Sequence, residues 1–137
     1  MSTCSACGVS LSSSQRRYCS NTCQAQFQYR AYIEQWQRCL VDGSRGTLAR
    51  NLSRHVHRYL THKFSEKCSI CGWNKPHPIS GRCPLEIDHI DGNSDNNNES
   101  NLRLVCPNCH ALTHTYRNYN SGRGRVWRKN KYRKHAR

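Results

Sequence analysis

Between Leu85 and Tyr116 the chain reads LEIDHIDGNSDNNNESNLRLVCPNCHALTHTY, and this stretch gathers the groups able to do chemistry. Asp88 and His89 are adjacent, and His110 and His114 follow four residues apart. A carboxylate oxygen suits a hard divalent cation such as Mg²⁺ or Mn²⁺, and imidazole nitrogens can complete its shell. An imidazole beside that cation, titrating near neutrality, can take a proton from water. Together they could cleave a phosphodiester bond.

These groups must be carried by particular elements. An alternating apolar run ends at Asp88-His89, and a loop rich in Asn, Asp and Ser follows. After Asn101, Leu102, Leu104 and Val105 make a second short apolar run. The periodicity predicts strand, long turn, strand, then a helix opening at Cys106-Pro107-Asn108-Cys109-His110. Neighbours on a strand point to opposite faces, so Asp88 and His89 can serve one site only through a local bend. The Asp91-Gly92-Asn93 turn is placed to supply it. His114, one helical turn after His110, should share its helix face. Turn formation and solvation account for Asp91, Asp95 and Glu99.

Only 35% of the 137 residues are hydrophobic and the mean hydropathy is -0.94. That excludes a large apolar core, and chains this polar need staples. Met1-Ser2-Thr3-Cys4 does not begin a charged and then apolar leader, and no apolar run approaches the ~18 residues of a membrane span. The expected compartment is therefore a reducing cytoplasm, of a bacterium or of a phage-infected cell. There, cysteine pairs at CxxC spacing read as zinc ligands rather than disulfides. Cys4, Cys7, Cys19 and Cys23 are expected to hold one structural Zn²⁺, and Cys68, Cys71, Cys106 and Cys109 a second. The second would clamp the base of the strand-loop-strand segment to the helix after it. Of the other two cysteines, Cys39 is expected to be a buried thiol and Cys83 a spare.

The net charge of +14 and a pI near 9.7 call for a polyanionic partner, most simply nucleic acid. A first helix is predicted from Cys23 to about Leu40, with Tyr29, Ile33, Trp36 and Leu40 on one stripe. A second, capped by Thr47, should run to Phe64. It gathers Leu48, Leu52, Val56, Tyr59 and Leu60 on one side and Arg50, Arg54, His57 and Arg58 on the other. Such a cationic face would hold a DNA backbone without reading sequence. The last residues carry Arg123, Arg125, Arg128, Lys129 and Lys131, interrupted by Trp127 and Tyr132, and form a further phosphate-binding arm.

Asp88-His89, Asn101-Leu102, and His110 and His114 after a CxxC together resemble the HNH nuclease motif. KCSICGW, PLEIDHIDGNSDNN, NLRLVCPNCH and YCSNTCQ extend the likeness to small phage and bacterial HNH homing-type endonucleases with an N-terminal zinc knuckle. The resemblance implies a small α+β, zinc-stapled protein. Its nuclease core would be ββα-metal and treble-clef-like, with an added N-terminal zinc-binding knuckle and helix. It implies His89 as general base, Asp88 and His110 as ligands of one catalytic Mg²⁺ or Mn²⁺, His114 as a lesser third ligand, and Asn101 as the residue orienting the hairpin. The implied organisation is a knuckle and helix over 1–41, a linker over 42–47, the nuclease domain over 48–120 and the basic arm over 121–137. Its expected partner is double-stranded DNA, cut or nicked by a monomer without an organic cofactor. A non-catalytic zinc-finger DNA-binding protein and a nuclease acting on RNA are the rival expectations.

Overall fold

The computed structural model describes residues 2–46 and 51–120, and the chain divides into two units, Met1–Val41 and Asp42–Arg137. Thr47, Leu48 and Arg50, and the arm residues Arg123, Arg125, Trp127, Arg128, Lys129, Lys131 and Tyr132, lie outside the described residues.

The first unit opens on a tight turn. Cys4 N–H donates to the Val9 carbonyl and Gly8 N–H to the Cys4 carbonyl, each at 2.8 Å. Gly8 has a φ of 76°, where a side chain would be strained. Helix α1 spans Asn21–Gln37, and the Ser20 hydroxyl caps it by accepting from Cys23 N–H. Ile33 and Trp36 are its buried residues. Cys39 adopts a left-handed φ of 57°, while Cys39 and Leu40 N–H groups close the helix end on the Trp36 and Gln35 carbonyls. The helix therefore ends at Gln37, three residues before the expected stop. Leu40 is 66% exposed and Cys39 is exposed, so neither is the buried group that helical spacing implied.

In the second unit, residues 42–46, part of the expected linker over 42–47, are fastened by hydrogen bonds. The Asp42 carboxylate accepts from Ser44 N–H and hydroxyl, Ser53 N–H donates to the Gly43 carbonyl, and Ser44 bridges to Leu52. Helix α2 spans Arg54–Lys63, with Ser53 as its cap in place of Thr47. Val56 and Leu60 are completely buried, and Arg54, His57 and Arg58 are exposed.

Strands β1 (Glu86–His89) and β2 (Leu102–Val105) pair antiparallel, with Asp88 opposite Arg103 and His89 opposite Leu102. The core lies where α2 packs on β2, on Leu102, Leu104 and Val105. Glu99 is part of this join: Tyr59 hydroxyl and Lys63 Nζ both donate to its Oε1 at 2.7 Å. It therefore fastens α2 to the loop before β2, a role that turn solvation had not suggested. Helix α3, Pro107–Ala111, starts on Cys106, whose sulfur accepts from Cys109 N–H, and on a proline in the first turn. No helix among the described residues is long and apolar enough to cross a membrane.

Gly92 turns the chain out of β1 with a φ of 73° and is buried. A Cβ there would stand 2.7 Å from Thr115 Cγ2 and against Asn120 Oδ1. Asn120 Nδ2 donates to the Gly92 carbonyl at 2.6 Å. Gly92→Ala should therefore push residues 115–120 off the loop and destabilise the unit by about 1–3 kcal/mol. A denaturant midpoint equal to wild type would contradict this packing.

Candidate active site

Two four-sulfur clusters form, one in each unit. The sulfurs of Cys4, Cys7, Cys19 and Cys23 lie within 4.8 Å of one another, as do those of Cys68, Cys71, Cys106 and Cys109. Cys7 to Cys19 is 3.6 Å, Cys19 to Cys23 is 3.4 Å, and Cys71 to Cys106 is 3.8 Å. A tetrahedron with ~2.3 Å Zn–S arms has edges of about 3.8 Å, so the donor sets fit Zn²⁺.

The two knuckles share a backbone pattern. Cys68 N–H donates to Trp73 and Gly72 N–H to Cys68, and Gly72 has the same φ of 76° as Gly8. Burial opposes ionisation of Cys4 and Cys68, but backbone N–H groups aimed at each sulfur prevail and hold both thiols down to about 6. Cys19 is pushed up to about 12, first by the Cys23 thiol, and Cys109 likewise by Cys71. Sulfurs this close share protons until a dication displaces them. Cys83 stands apart from both clusters, in a cavity of about 640 Å³ with Leu85, Leu104 and His57.

Asp88 is buried at 4% exposure, with its two oxygens differently engaged. Oδ2 accepts from Arg103 Nε at 2.8 Å, and Oδ1 lies 3.7 Å from His110 Nε2. The opposite ring nitrogen, His110 Nδ1, contacts Glu86 Oε2 at 2.5 Å. Glu86 and Asp88 are two residues apart on β1 and so project to one face. The Tyr116 and His110 rings meet edge to face, with centroids 5.3 Å apart. Two donors 3.7 Å apart can share one cation, since bonds of about 2.1 Å to each span up to ~4.2 Å. The oxygen and nitrogen pair also suits Mg²⁺ or Mn²⁺.

His114 does not join them. The Thr113 hydroxyl takes the His110 carbonyl at 2.9 Å and helix α3 ends at Ala111, before the turn that would have aligned His114 with His110. His114 is exposed and lines a groove with Arg103, Ile90 and Leu112. Among the described residues, Asp88, His110 and His114 do not form a three-ligand cluster.

His89 ends β1, and its Nε2 meets Asn97 Oδ1 at 2.8 Å. The loop around it is organised by Asn101, which is 8% exposed. Asn101 Oδ1 accepts from Asp91 N–H, and its Nδ2 donates to Asp91 Oδ1 and to the Asn96 carbonyl. Asp91 in turn accepts from Asn93 N–H and Asn96 Nδ2. The amide-rich run is thus a hydrogen-bonded scaffold. Partial burial opposes ionisation of Asp91, but the donors of Asn96, Asn93 and Asn101 hold its carboxyl below the ordinary value of 3.8.

A depressed folded value contributes stability above the unfolded value, and that stability is lost as pH falls through the lower, folded one. Protection of the Asn93 and Asn96 amides should therefore persist on acidification until the pH passes below the ordinary carboxylate range. Amide exchange that already quickens well above that range would contradict the loop's construction.

Three members of this arrangement lie outside the residues that the sequence marks. Glu86 could have been found from its i, i+2 spacing to Asp88, and Arg103 from the register opposite Asp88. Nothing distinguishes Asn97 within Asn96-Asn97-Asn98.

Compared with known proteins, the chain is 51% identical over 61 residues to the H-N-H endonuclease F-TflIV of Escherichia phage T5. The match covers 42% of this chain and 24% of that relative, so the chain spans about a quarter of the relative's length. No family model matches the chain, and no solved structure does.

Proposed function

We propose that this chain is a metal-dependent HNH endonuclease, with β1, the loop, β2 and α3 as its ββα-metal core, that hydrolyses phosphodiester bonds in double-stranded DNA. The observation that carries the reading is the meeting of Asp88 Oδ1 and His110 Nε2 at 3.7 Å, in a chain 51% identical over 61 residues to a phage H-N-H endonuclease. Each donor is held from behind, Asp88 by Arg103 and His110 by Glu86.

Asp88 and His110 are the residues to hold a single Mg²⁺ or Mn²⁺. That cation supplies neutralisation of charge on the phosphoryl oxygens and on the departing 3′ oxygen. His89 accepts the proton of the attacking water. Asn101 keeps β1 and the loop at a fixed spacing so that the base stays in place. Arg54 and Arg58, exposed on α2, contact DNA phosphates, joined by Arg50 and the basic arm.

Glu86 orients the His110 ring so that Nε2 faces the cation. Partners of this kind are worth about 10–100-fold in metal affinity, so Glu86→Gln should weaken Mn²⁺ binding by that factor in calorimetry. Unchanged affinity would remove Glu86 from the site.

The test of the activity is incubation of zinc-loaded protein with supercoiled plasmid and Mg²⁺ or Mn²⁺. Nicked or linear product that requires the added cation supports the reading. An intact plasmid with retarded mobility would make the chain a non-catalytic DNA-binding protein. Cleavage confined to RNA would make it a nuclease of the other substrate class.

A further inference from the structure

We propose that Asn97 is the positioning residue for the base: it holds the proton of neutral His89 on Nε2, leaving the Nδ1 lone pair for water. The inference rests on the reading of His89 as general base and assigns which of its nitrogens acts. A neutral imidazole carries one N–H, and the hydrogen bond made by one nitrogen decides the role of the other. His89 Nε2 stands 2.8 Å from Asn97 Oδ1; an amide oxygen accepts, so this pairing is a hydrogen bond when the proton sits on Nε2.

The acceptor is built in. Asn97 is 7% exposed, and the chain is pinned on both sides of it. The Asn96 carbonyl accepts from Asn101 Nδ2 at 2.8 Å, and the Asn98 carbonyl accepts from Asn101 N–H at 2.9 Å. One residue further, Glu99 is tied to Tyr59 and Lys63. The amide oxygen therefore waits at a fixed point near the end of β1, and the ring can satisfy it in one orientation. Asn101 shapes the loop, and Asn97 passes that shape to the base.

The experiment is nitrogen-15 NMR of histidine-labelled, zinc-loaded protein without added Mg²⁺ or Mn²⁺, at a pH about two units above the ordinary imidazole value. His89→Gln assigns the signals. Wild type should show His89 with a protonated Nε2, an unprotonated Nδ1 and a discrete, slowly exchanging Nε2–H proton. Asn97→Ala should lose that proton signal and lower kcat by about 10–100-fold with KM for DNA unchanged. Asn97→Asp, which keeps an acceptor oxygen, should retain the signal and recover part of kcat.

A wild-type His89 protonated on Nδ1 would overturn the proposal whatever the variants do. So would a Nε2–H signal and a kcat that Asn97→Ala leaves unaltered. Failure of the wider reading looks different. Wild-type protein that cuts no DNA while showing the Nε2–H form ends His89's catalytic role but leaves the tautomer assignment standing.

Discussion

Replacing His89 with alanine should slow plasmid cleavage by about 10²–10⁴-fold, the usual worth of a positioned proton transfer, while DNA binding and zinc content stay at wild-type levels. His89 belongs to neither sulfur cluster, and its side chain is hydrogen-bonded to Asn97. Its removal therefore takes away the proton acceptor and leaves the Asp88 and His110 donors standing. Mn²⁺ affinity should be unchanged in the same variant, which separates loss of the base from loss of the cation. Activity within a factor of a few of wild type would show that another group activates the water.

Cys106→Ser should unfold the second unit. Cys106 is 4% exposed, and it is at once a sulfur of the cluster, the cap of α3 and part of the apolar group with Val105, Trp73 and Leu85. Structural zinc contributes about 10–16 kcal/mol in small units, against net domain stabilities of about 5–15 kcal/mol. Loss of the ion removes an amount comparable to the whole stability, and a cluster with one thiolate gone holds the ion more weakly. Circular dichroism should show the variant unfolded at temperatures where wild type is folded, and a strong chelator should do the same to wild type. Cys39→Ser, at an exposed thiol outside both sulfur clusters, should leave the zinc content unchanged. The sign with pH follows from Cys68, whose thiol is held down near 6. Its thiolate form is favoured above that value in the metal-free cluster, and because zinc takes thiolates in competition with protons, acid should release it. A folded, cooperative Cys106→Ser protein would mean that the apolar packing suffices alone.

Much of this architecture is legible in the sequence because it is local. The spacings CSACG and CSICG encode the knuckles directly, since Gly8 and Gly72 supply the left-handed turns and the adjacent N–H groups point at sulfur. The short runs around Ile87 and Leu104 likewise announce two strands. Helix ends were less legible. Cys39 leaves α1 in a left-handed conformation that no residue type near it predicts, and α3 closes at Ala111 on short bonds from the Leu112 and Thr113 N–H groups to the Cys109 and His110 carbonyls.

Within the site, Asp88 and His110 were marked by residue type and spacing. Their partners Arg103 and Glu86, and Asn97 beside His89, were not, because strand register and loop closure bring them there. Those relations exist only once the chain has folded. A run of three asparagines gives no means of choosing the one whose amide reaches an imidazole.

The most direct test of the central claim is anomalous scattering from crystals of the zinc-loaded protein soaked in Mn²⁺. The account predicts a manganese peak at bonding distance from both Asp88 Oδ1 and His110 Nε2, with His89 nearby and unligated. Manganese bound elsewhere, on the Asp91 loop for instance, with Asp88 Oδ1 and His110 Nε2 both bare, would contradict it.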